Sequence, residues 1–369
     1  MQAEKKIRVG LVFGGKSIEH EISILSATSI LRILKQEYAD KYECMLIGID
    51  LQGGWHACSE SLESLIEHDV TKALAIVTPG DLKATEVRAG LLSSLDVVFP
   101  ILHGPYGEDG TIQGLLKLAG IPFVGAGVLA SAVGMDKEIM KKLFIAAGLP
   151  VAPFLVLHRG KQQTSFANIV EMLGLPFFVK PANAGSSVGV SKVHKEEEFE
   201  PALAEAFSYD HKVIVETFVQ GREIECAVLG NEEPIASIPG EIIPRHEFYS
   251  YEAKYLDTEG AELVVPALLS AKLTQEIQTL SIHAFQAICC EGMARVDMFI
   301  TQDERVVLNE INTIPGFTQI SMYPKMWEAS GISYAALLDR LIELALKREE
   351  VNQLLKTTCD IRQISCNTK

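Results

Sequence analysis

Short apolar runs, bounded by glycine or polar turns, alternate with amphipathic stretches through the first third of the chain. Residues 7–13, Ile-Arg-Val-Gly-Leu-Val-Phe, predict a strand that enters Gly14-Gly15-Lys16-Ser17, and the spacing then predicts a helix from about Glu21 to Lys35. Residues 44–49 and 96–102 read as further strands, the second ending at His103-Gly104. Strand, loop and helix in alternation indicate an open α/β layer. Ligands collect where the strands of such layers end, so the loops 14–21 and 103–110 are candidate binding segments.

After Gly125-Ala126-Gly127 the pattern changes. A helix is predicted over 137–147, then strands over 153–157 and 177–180, a loop 181–189, a strand to about Val193, an acidic helix over 195–207 and a strand over 213–219. From about Glu223 the strands lengthen: 225–229, 235–243, 295–300 and 306–311, with helices over 273–290 and 333–347. At 369 residues more than one core is expected. The expected division is 1–130, 131–222 and 223–369, α/β in the first unit and α+β in the other two.

The last two strands carry the most informative polar residues. Arg295 and Asp297 lie two apart on one, Glu310 and Asn312 two apart on the other, and 301–304 is a short polar link. On a strand, residues i and i+2 share a face. A hairpin would therefore gather a guanidinium, two carboxylates and an amide on one surface. Hard cations such as Mg²⁺ favour such oxygen donors and keep positions open for phosphate and water. The uncharged run Asn312-Thr-Ile-Pro-Gly316 follows, and a glycine after a proline suits a backbone N–H aimed at developing negative charge.

Composition narrows the classes. Apolar residues make up 48% and charged residues 22%, as in an ordinary globular protein. A net charge of −15 argues against a nucleic-acid binder. The seven cysteines form no CxxC pair, so a zinc site or a redox motif has no support and free thiols in a reducing cytosol are expected. No signal-peptide core and no membrane-length apolar stretch are evident, which predicts a soluble, cytoplasmic protein.

The loop Ala184-Gly-Ser-Ser-Val-Gly189 could cradle phosphate through successive N–H groups, although alone it is equally a flexible hairpin. It is neither a Walker motif nor a dinucleotide fingerprint, and Gly14-Gly15 lacks the third glycine that an NAD-binding turn needs. Lys180 just before the loop could reach a phosphate. The segment 216–223 brings Glu216, Phe218 and Glu223, suited to a base and a ribose, or to an ordinary strand end. Tyr251-Glu-Ala-Lys254-Tyr255 is a solvated loop or a lid. No GxSxG or HExxH is present.

Six ordered segments now stand together: 14–23, 103–110, 135–137, 180–189, 251–255 and 295–316. Over about residues 7–345 they resemble the D-alanine–D-alanine ligases of the ATP-grasp family. The resemblance implies an ATP-grasp fold behind an N-terminal Rossmann-like domain. It implies ATP-dependent joining of two D-alanine molecules through a D-alanyl phosphate, in bacterial peptidoglycan precursor synthesis, by a homodimer that binds neither nucleic acid nor membrane. Joining D-alanine to D-serine or D-lactate is the alternative.

Position by position, Lys137 and Lys180 would contact ATP, with Ser187 of the flap and Asn309. Glu216, Phe218 and Val219 would hold adenine, and Glu223 the ribose. Asp297, Glu310 and Asn312 would hold two Mg²⁺ (or Mn²⁺) ions. Glu19 would bind the first D-alanine, linked to Ser186 and Tyr255, with His103 beside it. Lys254 would reach the transferring phosphate, and Arg295 with Gly316 N–H would receive the oxyanion. Ser321 and Met322 would hold the second carboxylate. Phe218 stands where the family often has tryptophan, and Met322 where it often has leucine. The retained Tyr255 favours an amine over a hydroxyl acceptor.

Overall fold

The computed structural model describes residues 5–58, 92–161, 164–244 and 261–356. Three sheets organise them. In the first, β1 (Ile7–Gly14) lies between β2 (Tyr42–Ile49) and β4 (Val97–Ile101), both parallel to it, and β3 (Trp55–Cys58) is an antiparallel edge. Parallel strands covered on both faces read as nearly continuous apolar runs, as β1 and β4 do. Gly14 (φ +89°) turns the chain out of β1; a Cβ there would sit 2.2 Å from the Ile49 carbonyl oxygen. Helix His20–Glu37 follows, burying Ile24, Ala27, Ile30, Leu31 and Leu34 on one face.

The second sheet is antiparallel, in the order β5 (Phe154–His158), β8 (Lys212–Thr217), β6 (Phe177–Pro181), β7 (Ser191–Val193). It has its own core, with Phe177, Val179, Val213 and Val215 packed on Phe199 and Leu203 of helix Glu196–Tyr209. The third sheet joins β12 (Ala261–Val264), β11 (Gly240–Pro244), β9 (Gly221–Gly230), β13 (Gly292–Thr301) and β14 (Val306–Asn312), with β10 (Ile235–Ala236) on β9.

One strand over 235–243 was expected, and two form. Pro239 carries no N–H for the ladder, and the chain breaks there. Helices Thr111–Leu118, Val128–Met135, Phe166–Leu173 and Met322–Ala329 add to those the pattern predicts. The expected middle unit begins at 131, yet Val133, Met140 and Phe144 bury against Ile224, Val296 and Leu308 of the third sheet. Helices Val128–Met135 and Lys137–Ala146 are therefore walls of the third sheet, and only 154–217 stands on its own core.

The first and third units share a core. Phe13, Ile24 and Phe99 lie in one cluster with Phe317, Tyr323, Trp327 and Leu341. Lys41 bonds Asp339 at 2.7 Å and Glu343 at 2.8 Å, and Arg348 donates to the carbonyls of Gly125 (2.7 Å) and Phe123 (2.5 Å). Among the described residues no helix is long and apolar enough to cross a membrane.

Candidate active site

A cleft of about 390 Å³ opens between the second and third sheets. Its floor is the β13–β14 hairpin. The register pairs Arg295 with Asn312 and Asp297 with Glu310, and β9 sets Glu225 opposite Asp297. Three carboxylates thus lie in a row across three strands. Like charges placed opposite one another destabilise a sheet unless cations intervene. Arg295 donates from Nε and Nη2 to the two Asp297 oxygens at 2.7 Å each, and Nε lies 3.1 Å from Glu225 Oε1. Asn312 Nδ2 donates to Asp297 Oδ2 at 2.9 Å, and Lys137 Nζ is 3.4 Å from Glu310 Oε2. Burial opposes the Arg295 charge, but Asp297 and Glu225 outweigh it and raise the pKa further.

The opposite wall holds a buried ion cluster. Glu216, 3% exposed, lies between Lys141 Nζ at 2.5 Å and Lys180 Nζ at 2.7 Å. Burial favours the neutral acid, yet the two ammonium groups hold Glu216 below the usual carboxylate range. Lys141 also donates to the Asn309 carbonyl on β14 at 2.9 Å, which ties the two walls together. Its pKa is depressed by burial, whereas Glu216 holds that of Lys180 up.

The roof is the glycine-rich flap. Ser186 and Ser187 adopt φ of +50° and +60°. Left-handed backbone costs a non-glycine residue about 1–2 kcal/mol, so this local conformation is held by its surroundings. Ser186 Oγ donates to Glu19 Oε1 at 2.5 Å, and Lys137 Nζ donates to the Ala184 carbonyl at 2.7 Å. Beneath the flap lies the loop 103–110. Gly104 (φ +75°) leaves room for Glu19, whose Oε2 would sit 3.3 Å from a Cβ there.

His103 Nδ1 donates to the Ile314 carbonyl at 3.0 Å, and its buried Nε2 has no hydrogen-bond partner among the described residues. Burial lowers the His103 pKa, which keeps the ring neutral. Glu108 accepts from Gly104 N–H at 2.7 Å and Ile314 N–H at 3.3 Å. Burial, with the Glu19 charge nearby, pushes its pKa up to about 8.

The structure brings part of the predicted set onto the lining of this cleft; Glu19, His103, Arg295, Asn312, Gly316, Ser321 and Met322 are not among its lining residues. Lys137, Lys180, Ser186, Ser187, Glu216, Phe218, Val219, Glu223, Asp297, Asn309 and Glu310 line it. Phe218 packs edge-on to Phe178, ring centroids 5.9 Å apart, with Lys192 Nζ 4.0 Å over its ring. Ser321 lies beside Gly316, bonded to Thr318 and at the N-terminal end of helix Met322–Ala329; the Met322 side chain is buried in the core. Lys254 and Tyr255 lie outside the described residues.

Three further residues had not been singled out. Lys141 follows Lys137 by one helical turn, and Glu225 shares a strand face with Glu223, so simple periodicity signals both. Glu108 lies inside the loop already chosen, and its contact with Ile314 had no sequence signal.

A nucleotide-sized cleft between two antiparallel sheets, floored by Asp297, Asn309 and Glu310 and roofed by a glycine-rich flap, is the arrangement of an ATP-grasp fold and suits an ATP-dependent ligase. Residues 8–126 match the family model described as D-ala D-ala ligase N-terminus, and residues 143–343 that described as D-ala D-ala ligase C-terminus. The chain is 53% identical over 366 residues to D-alanine–D-alanine ligase A of Chromobacterium violaceum, covering 96% of this chain and 99% of that one. It is 51% identical over 364 residues to the D-alanine–D-alanine ligase of Oceanobacillus iheyensis, with the same coverage. Among solved structures, the D-alanine–D-alanine ligase from Coxiella burnetii superposes with a TM-score of 0.78 at 38% identity, over 98% of this chain and 97% of that one. The VanG D-Ala:D-Ser ligase from Enterococcus faecalis gives 0.80 at 34%, over 92% and 100%. The chain belongs to the D-alanine–D-alanine ligase family.

Proposed function

We propose that this enzyme joins two D-alanine molecules at the expense of ATP, releasing ADP and phosphate, to supply a peptidoglycan precursor. The observation that carries the reading is the Ser186–Glu19 hydrogen bond, which joins the phosphate flap to the carboxylate suited to a substrate ammonium group. The family relationship supplies the substrate class.

ATP lies in the cleft, its adenine beside Phe218 and Val219, its ribose at Glu223 and its phosphates under the flap near Lys137 and Lys180. Glu216 accepts from the base while its lysine partners keep it ionised. Asp297, Glu310 and Asn312 are the donor set for two Mg²⁺ or Mn²⁺ ions. The set fits in its chemistry: two carboxylates and a side-chain amide, all able to offer oxygen donors of the kind hard cations take. The metals would offset charge on the phosphates.

Glu19 holds the ammonium of the first D-alanine, with the neutral His103 beside it. The carboxylate oxygen of this D-alanine attacks the γ-phosphorus; the P–O bond to ADP breaks and an acyl phosphate forms. The amine of the second D-alanine, its carboxylate held by Ser321 and the Met322 backbone, then attacks the acyl carbon. The C–O bond breaks, phosphate leaves with its electron pair, and the amine proton is released. Arg295 and Gly316 N–H stabilise the tetrahedral oxyanion, and one such donor is typically worth about 3–4 kcal/mol. Lys254 and Tyr255 complete the lid in this reading, and water exclusion protects the acyl phosphate. The enzyme acts as a cytoplasmic homodimer, apart from nucleic acid and membrane.

The test is phosphate release from purified protein, ATP and Mg²⁺, with D-alanine alone or with D-serine or D-lactate, and product identification by mass. Release with D-alanine alone, yielding the dipeptide, is expected. Preferential depsipeptide formation at neutral pH would overturn the assignment.

A further inference from the structure

The segment Ile314-Pro-Gly-Phe317 leaves the metal-binding hairpin and carries Gly316 between two anchored residues. Both backbone groups of Ile314 are held by side chains from the N-terminal unit: its N–H by Glu108 at 3.3 Å, its carbonyl by His103 Nδ1 at 3.0 Å. Both backbone groups of Phe317 are held as well. Its N–H donates to Ser26 Oγ at 3.4 Å, and its carbonyl accepts from the Tyr334 hydroxyl. Ser26 is fully buried on helix His20–Glu37, and His103 is 5% exposed.

The Phe317 ring adds a third restraint. It packs edge-on to Phe99 of β4, centroids 5.8 Å apart, and against Tyr323 at 5.4 Å. Between the anchors, Pro315 has a fixed φ. A side chain at Gly316 would meet Ser321 Oγ at 2.9 Å. No acceptor for Gly316 N–H occurs among the described residues.

Ordinary packing would not require this arrangement. A loop on the surface normally satisfies its backbone with water. Here the two ends of a four-residue segment receive four side-chain bonds, three of them from a loop and a helix of the N-terminal unit, while the Gly316 N–H between them is left without a partner among the described residues. Fixed donors aimed at developing charge need no reorganisation at the moment of reaction, which is what such bracing achieves.

We propose that Glu108, Ser26 and the ring nitrogen Nδ1 of His103 form a clamp that sets the position of Gly316 N–H. Glu108 and Ser26 are positioning residues: they act on the oxyanion through the loop. The N-terminal unit thereby contributes to the acyl-transfer step as well as to binding the first substrate. The inference rests on the oxyanion role read for Gly316 under the proposed ligase activity.

The test compares the parent enzyme with Ser26→Ala, Glu108→Gln and Glu108→Ala. Three quantities are measured for each: kcat for dipeptide formation, KM for ATP, and the inhibition constant of a phosphinate analogue of the dipeptide, a stable tetrahedral mimic. A misplacement of about 1 Å costs on the order of 100-fold in rate. The expected result is a fall in kcat of roughly 10- to 100-fold in Ser26→Ala and Glu108→Ala, with a matching loss of phosphinate affinity, while KM for ATP stays within about threefold. Glu108→Gln keeps one acceptor and should fall between these variants and the parent.

Unchanged kcat and phosphinate affinity in both alanine variants would overturn the clamp. A parallel loss of ATP affinity would also overturn it, because a collapsed site loses both. Should Glu108→Ala fail to fold, Ser26→Ala removes a single hydroxyl and carries the decision alone. A parent enzyme that binds the phosphinate but forms no dipeptide would sink the ligase reading instead, and phosphinate affinity would still decide the clamp.

Discussion

Lys141→Met tests the buried ion cluster that joins the two walls of the cleft. Lys141 is 1% exposed and holds Glu216 Oε1 at 2.5 Å and the Asn309 carbonyl at 2.9 Å. Methionine approximates its length and apolar stem but offers no charge and no donor. Removing one partner of a buried ion pair costs about 3–5 kcal/mol, because the other charge stays buried. Lys180 remains 2.7 Å from Glu216, which moderates the loss. The Asn309 carbonyl loses a donor, a cost of about 1 kcal/mol or more. The net expectation is a destabilisation of about 3 kcal/mol.

The cycle is completed with Glu216→Gln and with the double variant, by urea unfolding of the nucleotide-free protein. The double variant should be more stable than additivity allows, by roughly 1–3 kcal/mol. A pH series adds an independent check. Glu216 has a folded pKa below its ordinary 4.5, so its contribution is fully present above that value and is lost as pH falls through the folded pKa. Lys141→Met should shrink this acid-side loss and raise KM for ATP. A single variant within about 0.5 kcal/mol of the parent, or strict additivity, would refute the reasoning.

Asp297→Asn removes one anionic donor from the hairpin and should raise the half-saturating Mg²⁺ concentration roughly tenfold or more, with the far-ultraviolet spectrum unchanged. Undiminished turnover at low Mg²⁺ would mean that the metals bind elsewhere. Glu108→Gln should alter the pH dependence of stability between pH 4.5 and 8. The parent keeps a proton on Glu108 to about pH 8 when folded but loses it near 4.5 when unfolded, so its stability declines over that window. The swing is on the order of a few kcal/mol. Melting curves of the two proteins should therefore diverge between pH 4.5 and 8 in favour of the variant; parallel curves would contradict the raised pKa.

Much of the fold and of the cleft was legible because it follows from local rules. Alternation along 295–312 predicts a hairpin; the register shift between Asp297 and Met298, which skips Asn309 and sets Asp297 opposite Glu310, had no signal in that alternation. Apolar runs mark the parallel strands by a similarly local rule. The helices at 111–118, 128–135, 166–173 and 322–329 escaped because each is only about two turns long, too short for periodicity to stand out.

By itself, then, the sequence determined the hairpin that carries the polar floor, the flap, the open α/β layer and, through ordered motifs, the family. Tertiary structure alone decided the partners. Lys141 reaches Glu216 across 75 positions only because helix Lys137–Ala146 packs on the third sheet while Glu216 ends a strand of the second. Ile314 meets His103 and Glu108 because the first and third units share one core. Side-chain periodicity is a property of the local backbone, whereas these contacts depend on which buried faces meet, and that depends on the shapes of whole sheets.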